Sequence, residues 1–103
     1  MAINNYYISF TANAKKELME IYGYINNNLK SKIAADNLMA QIENKILRLS
    51  IFPYSCMEVK TRPRSTIYRK LHVKNYLVLY RIQEENKKVD IVHIYYSRRD
   101  YLS

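Results

Sequence analysis

The chain has 103 residues, 49% of them hydrophobic, with a single glycine and a net charge of +8. A chain of this length and apolar content folds as one domain, residues 1–103, around one core, which excludes a disordered polymer and a second core. Its one cysteine, Cys56, excludes an internal disulfide and a zinc site built on several thiolates.

Taken in chain order, "NYYISF" is rich in Tyr, Ile and Phe with weak alternation, which predicts a short strand. Thr11 follows as a candidate N-cap. Ala14, Leu18, Ile21, Ile25 and Leu29 then recur at spacings of three and four, the stripe of an amphipathic helix. Gly23 weakens that helix by about 1 kcal/mol relative to Ala. "NNNLKSK" supplies a turn, and Ser31 is placed to cap a second helix with the stripe Ala35, Leu38, Ile42, Ile46 and Leu49. Pro53 is expected to close it after Phe52. Each helix has one apolar face and neither is stable alone, so the two are expected to form an antiparallel hairpin.

The period then changes. "IYRKLHV", "YLVLYRI" and "VDIVHIYY" are rich in β-branched and aromatic residues and are separated by "KN" and "QEENKK", which predicts an antiparallel meander. The expected architecture is α+β in the order β-α-α-β-β-β, with the hairpin laid on one sheet face. By the period of two, Tyr76, Val78, Tyr80 and Ile82 share the core face. Lys70 and His72 share the opposite one, while Arg69 and Leu71 point toward the helices. His72 and His93 are read as half-buried packing residues.

Charge is concentrated. Between Val59 and Arg81, Lys60, Arg62, Arg64, Arg69, Lys70, Lys74 and Arg81 occur with no acidic residue, giving +7 of the overall +8. Such a block repels itself unless a polyanion or acidic protein lies against it. A sheet covered by helices on one side is free to display lysine and arginine on the other. Arg62, Arg64, Arg69, Lys70, Lys74 and Arg81 are therefore the candidate binding residues. "MAINNYYISF" lacks the charged head and long apolar run of a secretory signal, and the longest apolar run in the chain is "YLVLY". A reducing cytoplasm is the expected location, with no membrane partner, no cofactor and no metal.

Several pieces together carry a resemblance: "FTANAKKEL", "IYGYI", "ILRLSIFP", "YRKLHVKNYLVLYRI" and "VHIYYSRRDY". In this order and spacing, over nearly the whole chain, the sequence resembles the RelE/ParE superfamily of bacterial toxins. The resemblance implies a helical hairpin on a curved antiparallel sheet. It also implies a growth-inhibiting toxin of a type II toxin–antitoxin module, of the kind linked to plasmid stabilisation, neutralised by a cognate antitoxin protein. RelE-like members cut messenger RNA on the ribosome, a reaction that needs a base, a cation against the phosphorane charge and an acid for the leaving oxygen. The residues that would carry it here are Lys70, Arg98, Arg99 and Tyr101. An arginine of that machinery, which follows the tyrosine of the third strand, is replaced: Tyr76 is followed by Leu77. ParE-like members poison DNA gyrase without cleaving RNA, do not depend on that arginine, and tend to have the longer hairpin, so the resemblance favours gyrase. The alternatives are a ribosome-dependent messenger RNA endoribonuclease and a non-toxic basic RNA-binding module.

Overall fold

The computed structural model describes residues 5–28, 32–59 and 67–96. Strand β1 spans Tyr7–Phe10, helix α1 Ala12–Asn28 and helix α2 Lys32–Leu47. Strands β2 Met57–Val59, β3 Tyr68–Val73, β4 Tyr76–Gln83 and β5 Lys88–Tyr96 follow. This is the expected α+β order, with β2 added ahead of the meander. Three residues, "MEV", are too short to show a period. Leu29, Ser31, Lys60, Arg62, Arg64, Arg98, Arg99 and Tyr101 lie outside the described residues.

Thr11 caps α1 as expected, its Oγ1 accepting the Ala14 N–H at 3.1 Å. The same hydroxyl donates to the Val92 carbonyl at 3.0 Å, so the cap also fastens the start of the helix to β5. Ala14 and Ile25 are buried, with Leu18 and Ile21 packed against the same cluster. On α2, Ala35, Leu38, Ile42 and Ile46 are buried. Fully burying a side chain of the size of Ile42 contributes about 1.5–3 kcal/mol. One expectation is corrected. The second helix does not run to Phe52 but ends at Leu47, and Arg48–Ser50 tightens into a 3-10 turn. Ser50 Oγ donates to the Leu47 carbonyl at 2.8 Å, and the Ile51 and Phe52 N–H groups both converge on the Arg48 carbonyl. These bonds satisfy the helix end before Pro53 is reached. Pro53 instead begins a second 3-10 turn, Pro53–Ser55.

The described strands form one five-stranded sheet in the order β1-β5-β4-β3-β2. β2, β3, β4 and β5 pair antiparallel, whereas β1 lies parallel to β5. A parallel neighbour needs a long connection, which the helical hairpin and strands β2–β4 together supply. Val73, Val78, Tyr80, Val89, Ile91 and Ile94 join the helix stripes in one core cluster, so both helices cover the same sheet face. Tyr80 is fully buried and its hydroxyl donates to the Pro53 carbonyl at 2.7 Å.

Strand β5 changes phase midway. Leu79 pairs with His93 but Tyr80 pairs with Ile91, which leaves Val92 as a bulge. Strict alternation would carry position 93 into the core after Val89 and Ile91. The extra residue turns His93 to the opposite face and returns Ile94 to the core.

Candidate functional site

Cross-strand partners share a face, so the register defines what the uncovered side of the sheet displays. One row runs His72, Leu77, Tyr95, the next Lys70, Leu79, His93, and a third joins Arg81 to Asp90. Lys70 and His72 therefore share the open face, and Arg69 and Leu71 face the helices. His72 is exposed, against expectation, whereas His93 is half-buried, keeping 40% of its side-chain surface.

Two devices orient this face. Asp90 is only 5% exposed and collects donors: Arg81 Nε at 3.1 Å, Gln83 Nε2, and Lys88 Nζ at 3.7 Å. Burying a carboxylate costs free energy unless such partners surround it. At the edge of β5 beyond β1, Glu17 of α1 takes the Ile94 N–H on Oε1 at 2.8 Å, and its Oε2 lies 3.2 Å from His93 Nδ1. The imidazole is thus held through one nitrogen.

The described members of the basic block do not form a single surface. Among them, Arg69 lies on the helix side of β3, between Glu58 of β2 and Tyr80 of β4. It donates to the Cys56 carbonyl at 2.6 Å and to Glu58 Oε2 at 3.2 Å, and it stacks over the Tyr54 ring at 5.0 Å. Its side chain is 14% exposed, a structural clamp more than a contact surface. Lys70 and Arg81 are on the open face, and Lys74 sits in the β3–β4 turn with a positive φ of 53°. Lysine in this left-handed region costs about 1 kcal/mol. The segment Val59 to Arg81 has no acid in sequence, but the register brings Glu58 to Arg69 and Asp90 to Arg81. Sequence reasoning missed Asp90, Glu17 and Leu79 as parts of the site. Alternation within "VDIVHIYY" places Asp90 opposite the core, but its partners come from another strand.

A cleft of about 910 Å³ opens where the hairpin meets the β3–β4 turn, lined by Glu20, Tyr24, Leu38, Gln41, Lys74 and Tyr96 among others. At the other end of the sheet, Glu84 accepts the hydroxyls of Tyr54 and Tyr6, the latter at 2.7 Å, and pairs with Lys87 at 3.1 Å. These bonds, the Tyr54 one foremost, hold its carboxyl down at about 2. Burial pushes the Tyr80 phenol well above its usual value. Among the described residues no group of three His, Cys, Asp or Glu side chains could hold a metal ion. None of the described helices is long and apolar enough to cross a membrane.

Fold and face together define a class: a small α+β domain with a helical hairpin on one side of a sheet and a mixed cationic and apolar surface on the other. The chain belongs to the family of ParE toxins of the type II toxin–antitoxin system parDE, whose model matches residues 8–101. A comparison with curated proteins gives no match. Among solved structures, the chain is similar to one in the chromosomal ParDE toxin–antitoxin system of P. aeruginosa, with a TM-score of 0.74 and 16% identity, covering 92% of this chain and 99% of that one. The toxin–antitoxin complex RelBE2 of Mycobacterium tuberculosis gives 0.68 and 19%, covering 92% and 94%. The archaeal RelE–RelB complex of Pyrococcus horikoshii gives 0.60 and 12%, covering 92% and 98%. At these identities the likeness is one of fold.

Proposed function

We propose that this ParE-family toxin inhibits DNA gyrase by trapping its DNA-cleaved state, and that a cognate antitoxin holds it in check. The observation that carries the choice of target is Leu77. It lies on the open face and is 3% exposed, at the position where the resemblance to RelE-like members implies an arginine. A buried aliphatic side chain offers nothing to the charge that develops on a phosphorane. Arg81 lies four residues further along β4, in a different row of the face from Leu77, and Asp90 offsets part of its charge. The family match to ParE toxins supports the same target. On this reading the toxin is a non-enzymatic inhibitor.

The antitoxin is expected to be acidic. Its segments would cover the basic middle of the chain, including Arg62 and Arg64, and fold as they bind. A second reading, ribosome-dependent cleavage of messenger RNA, is favoured by Lys70 and the two histidines on the open face. Inducing the chain without its neighbour, while following translation and plasmid topology in the same cells, separates the two. Loss of negative supercoiling with messages intact supports gyrase. Cleaved messages that disappear on Lys70→Ala support the ribosome and overturn the first reading.

A further inference from the structure

The cleft between the hairpin and the β3–β4 turn has an acidic and aromatic wall in a chain whose net charge is +8. Glu17, Glu20 and Tyr24 follow one another along α1 at helical spacing, so all three line it from the same helix. Glu17 is engaged by His93 and the Ile94 N–H, whereas the Glu20 carboxylate has no partner among the described residues. On the sheet side stand Tyr76 and Tyr96, opposite each other on neighbouring strands with their rings edge to face at 5.5 Å. The floor is apolar, made by buried Ile25, Leu38 and Ile94, and a volume of about 910 Å³ is within the range of small-molecule sites. Lys74 enters from the turn, beyond the row that joins Tyr76 to Tyr96. Glu17 meets the strand at Ile94, further in, so the cation and the engaged carboxylate lie toward opposite ends of the cleft.

We propose that this cleft binds a small organic cation, an ammonium group carried on an apolar body. The ammonium lies beside Glu20 and against the electron-rich faces of the tyrosine rings, and the body rests on the apolar floor. Ring faces and a carboxylate both favour positive charge, and each gains strength where water is partly displaced. A bare metal ion finds too few ligands, since no group of three His, Cys, Asp or Glu side chains comes together among the described residues. An anionic ligand would meet Glu17 and Glu20, with only Lys74 among the described lining residues to offset them. The charge of the whole chain opposes the approach of a cation, so its affinity must come from these local groups. The site lies on the helix side of the sheet, and its occupancy does not depend on whether the toxin acts on gyrase or on messenger RNA.

The test is a heteronuclear NMR titration of the purified chain with three soluble probes of similar size: phenethylamine, charged at neutral pH, neutral phenethyl alcohol, and anionic hydrocinnamate. The amine is expected to bind with a Kd on the order of 1 mM and at least about fivefold more tightly than the alcohol, with hydrocinnamate weakest. Shifts should centre on Tyr24, Tyr76 and Ile94. Glu20→Gln should weaken the amine about three- to fivefold and leave the alcohol unchanged, while Glu43→Gln, exposed on α2 outside the cleft, should alter neither. Tyr24→Leu keeps an apolar side chain but removes a ring face, and should act in the same direction as Glu20→Gln. Equal binding of amine and alcohol, preference for hydrocinnamate, shifts confined to the open face, or no binding up to about ten times that concentration overturns the proposal. Cleft resonances that broaden with protein concentration alone would assign the cleft to a second copy of the chain, and overturn it as well.

Discussion

Glu17 and Ile94 are 77 residues apart, and the carboxylate of one accepts the backbone N–H of the other at 2.8 Å. β1 pairs with β5 only as far as Ile91, so the last five residues of β5 run on without that neighbour strand. An uncovered strand edge invites pairing with other chains, and here a helix side chain occupies a donor of that edge. Glu17→Ala should cost about 1–3 kcal/mol in urea unfolding, since it strips a part-buried N–H of its acceptor. Hydrogen exchange should quicken at the Ile94 amide more than at Val89, which β1 still covers. Uniform exchange rates in the variant would contradict this role.

Glu84 contributes to the acid sensitivity of the fold. Its carboxyl titrates at about 2, below the ordinary 4.5, because Tyr54, Tyr6 and Lys87 all bind the ionised form. A depressed folded value means the contribution is present above the unfolded value and is lost as pH falls from about 4.5 toward 2. Glu84→Gln should flatten the stability curve in that window and leave its slope near neutrality unchanged. An unaltered acid limb would remove the clamp from the account.

Tyr80 contributes on the alkaline side. Its buried hydroxyl donates to the Pro53 carbonyl, and burial keeps it protonated above the ordinary tyrosine value of 10.0. A raised value means that the stabilisation is complete below the unfolded value and falls as pH rises past it. Tyr80→Phe should cost about 1–2 kcal/mol at neutral pH and make unfolding less steep above pH 10.0. Tyrosinate absorbance should show one fewer late-titrating group.

Gly23 tests the helical layer from its outer side. It lies within α1, and a Cβ added there meets nothing within 4 Å. Gly23→Ala should therefore stabilise the chain by about 0.5–1 kcal/mol, read as a higher urea midpoint with an unchanged slope. A loss of stability would mean that the position is not open.

What was legible in the sequence is what local patterning encodes. The stripe Ala35, Leu38, Ile42 and Ile46 of α2, continued by Leu49 in the 3-10 turn, is buried, Thr11 caps α1, and Tyr76, Val78, Tyr80 and Ile82 share the core side of β4. What was not legible depends on residues distant in sequence. The parallel pairing of β1 with β5 leaves no trace in either strand. The bulge at Val92 breaks the alternation of "VDIVHIYY", and it alone decides that His93 faces outward. The basic block has no acid within it, yet the register supplies Glu58 and Asp90 from neighbouring strands. Charge that looks unopposed along the chain is partly paired across the sheet.

On the proposed reading the open face lacks the cation that phosphodiester cleavage needs, with buried Leu77 at the position where the resemblance to RelE-like toxins implies an arginine. The most direct measurement adds the purified toxin in parallel to DNA gyrase relaxing and supercoiling plasmid, and to a translating extract carrying a labelled message. The account predicts loss of supercoiling with accumulation of cleaved plasmid, and a message that stays intact. Intact supercoiling together with ribosome-dependent cuts in the message would contradict it.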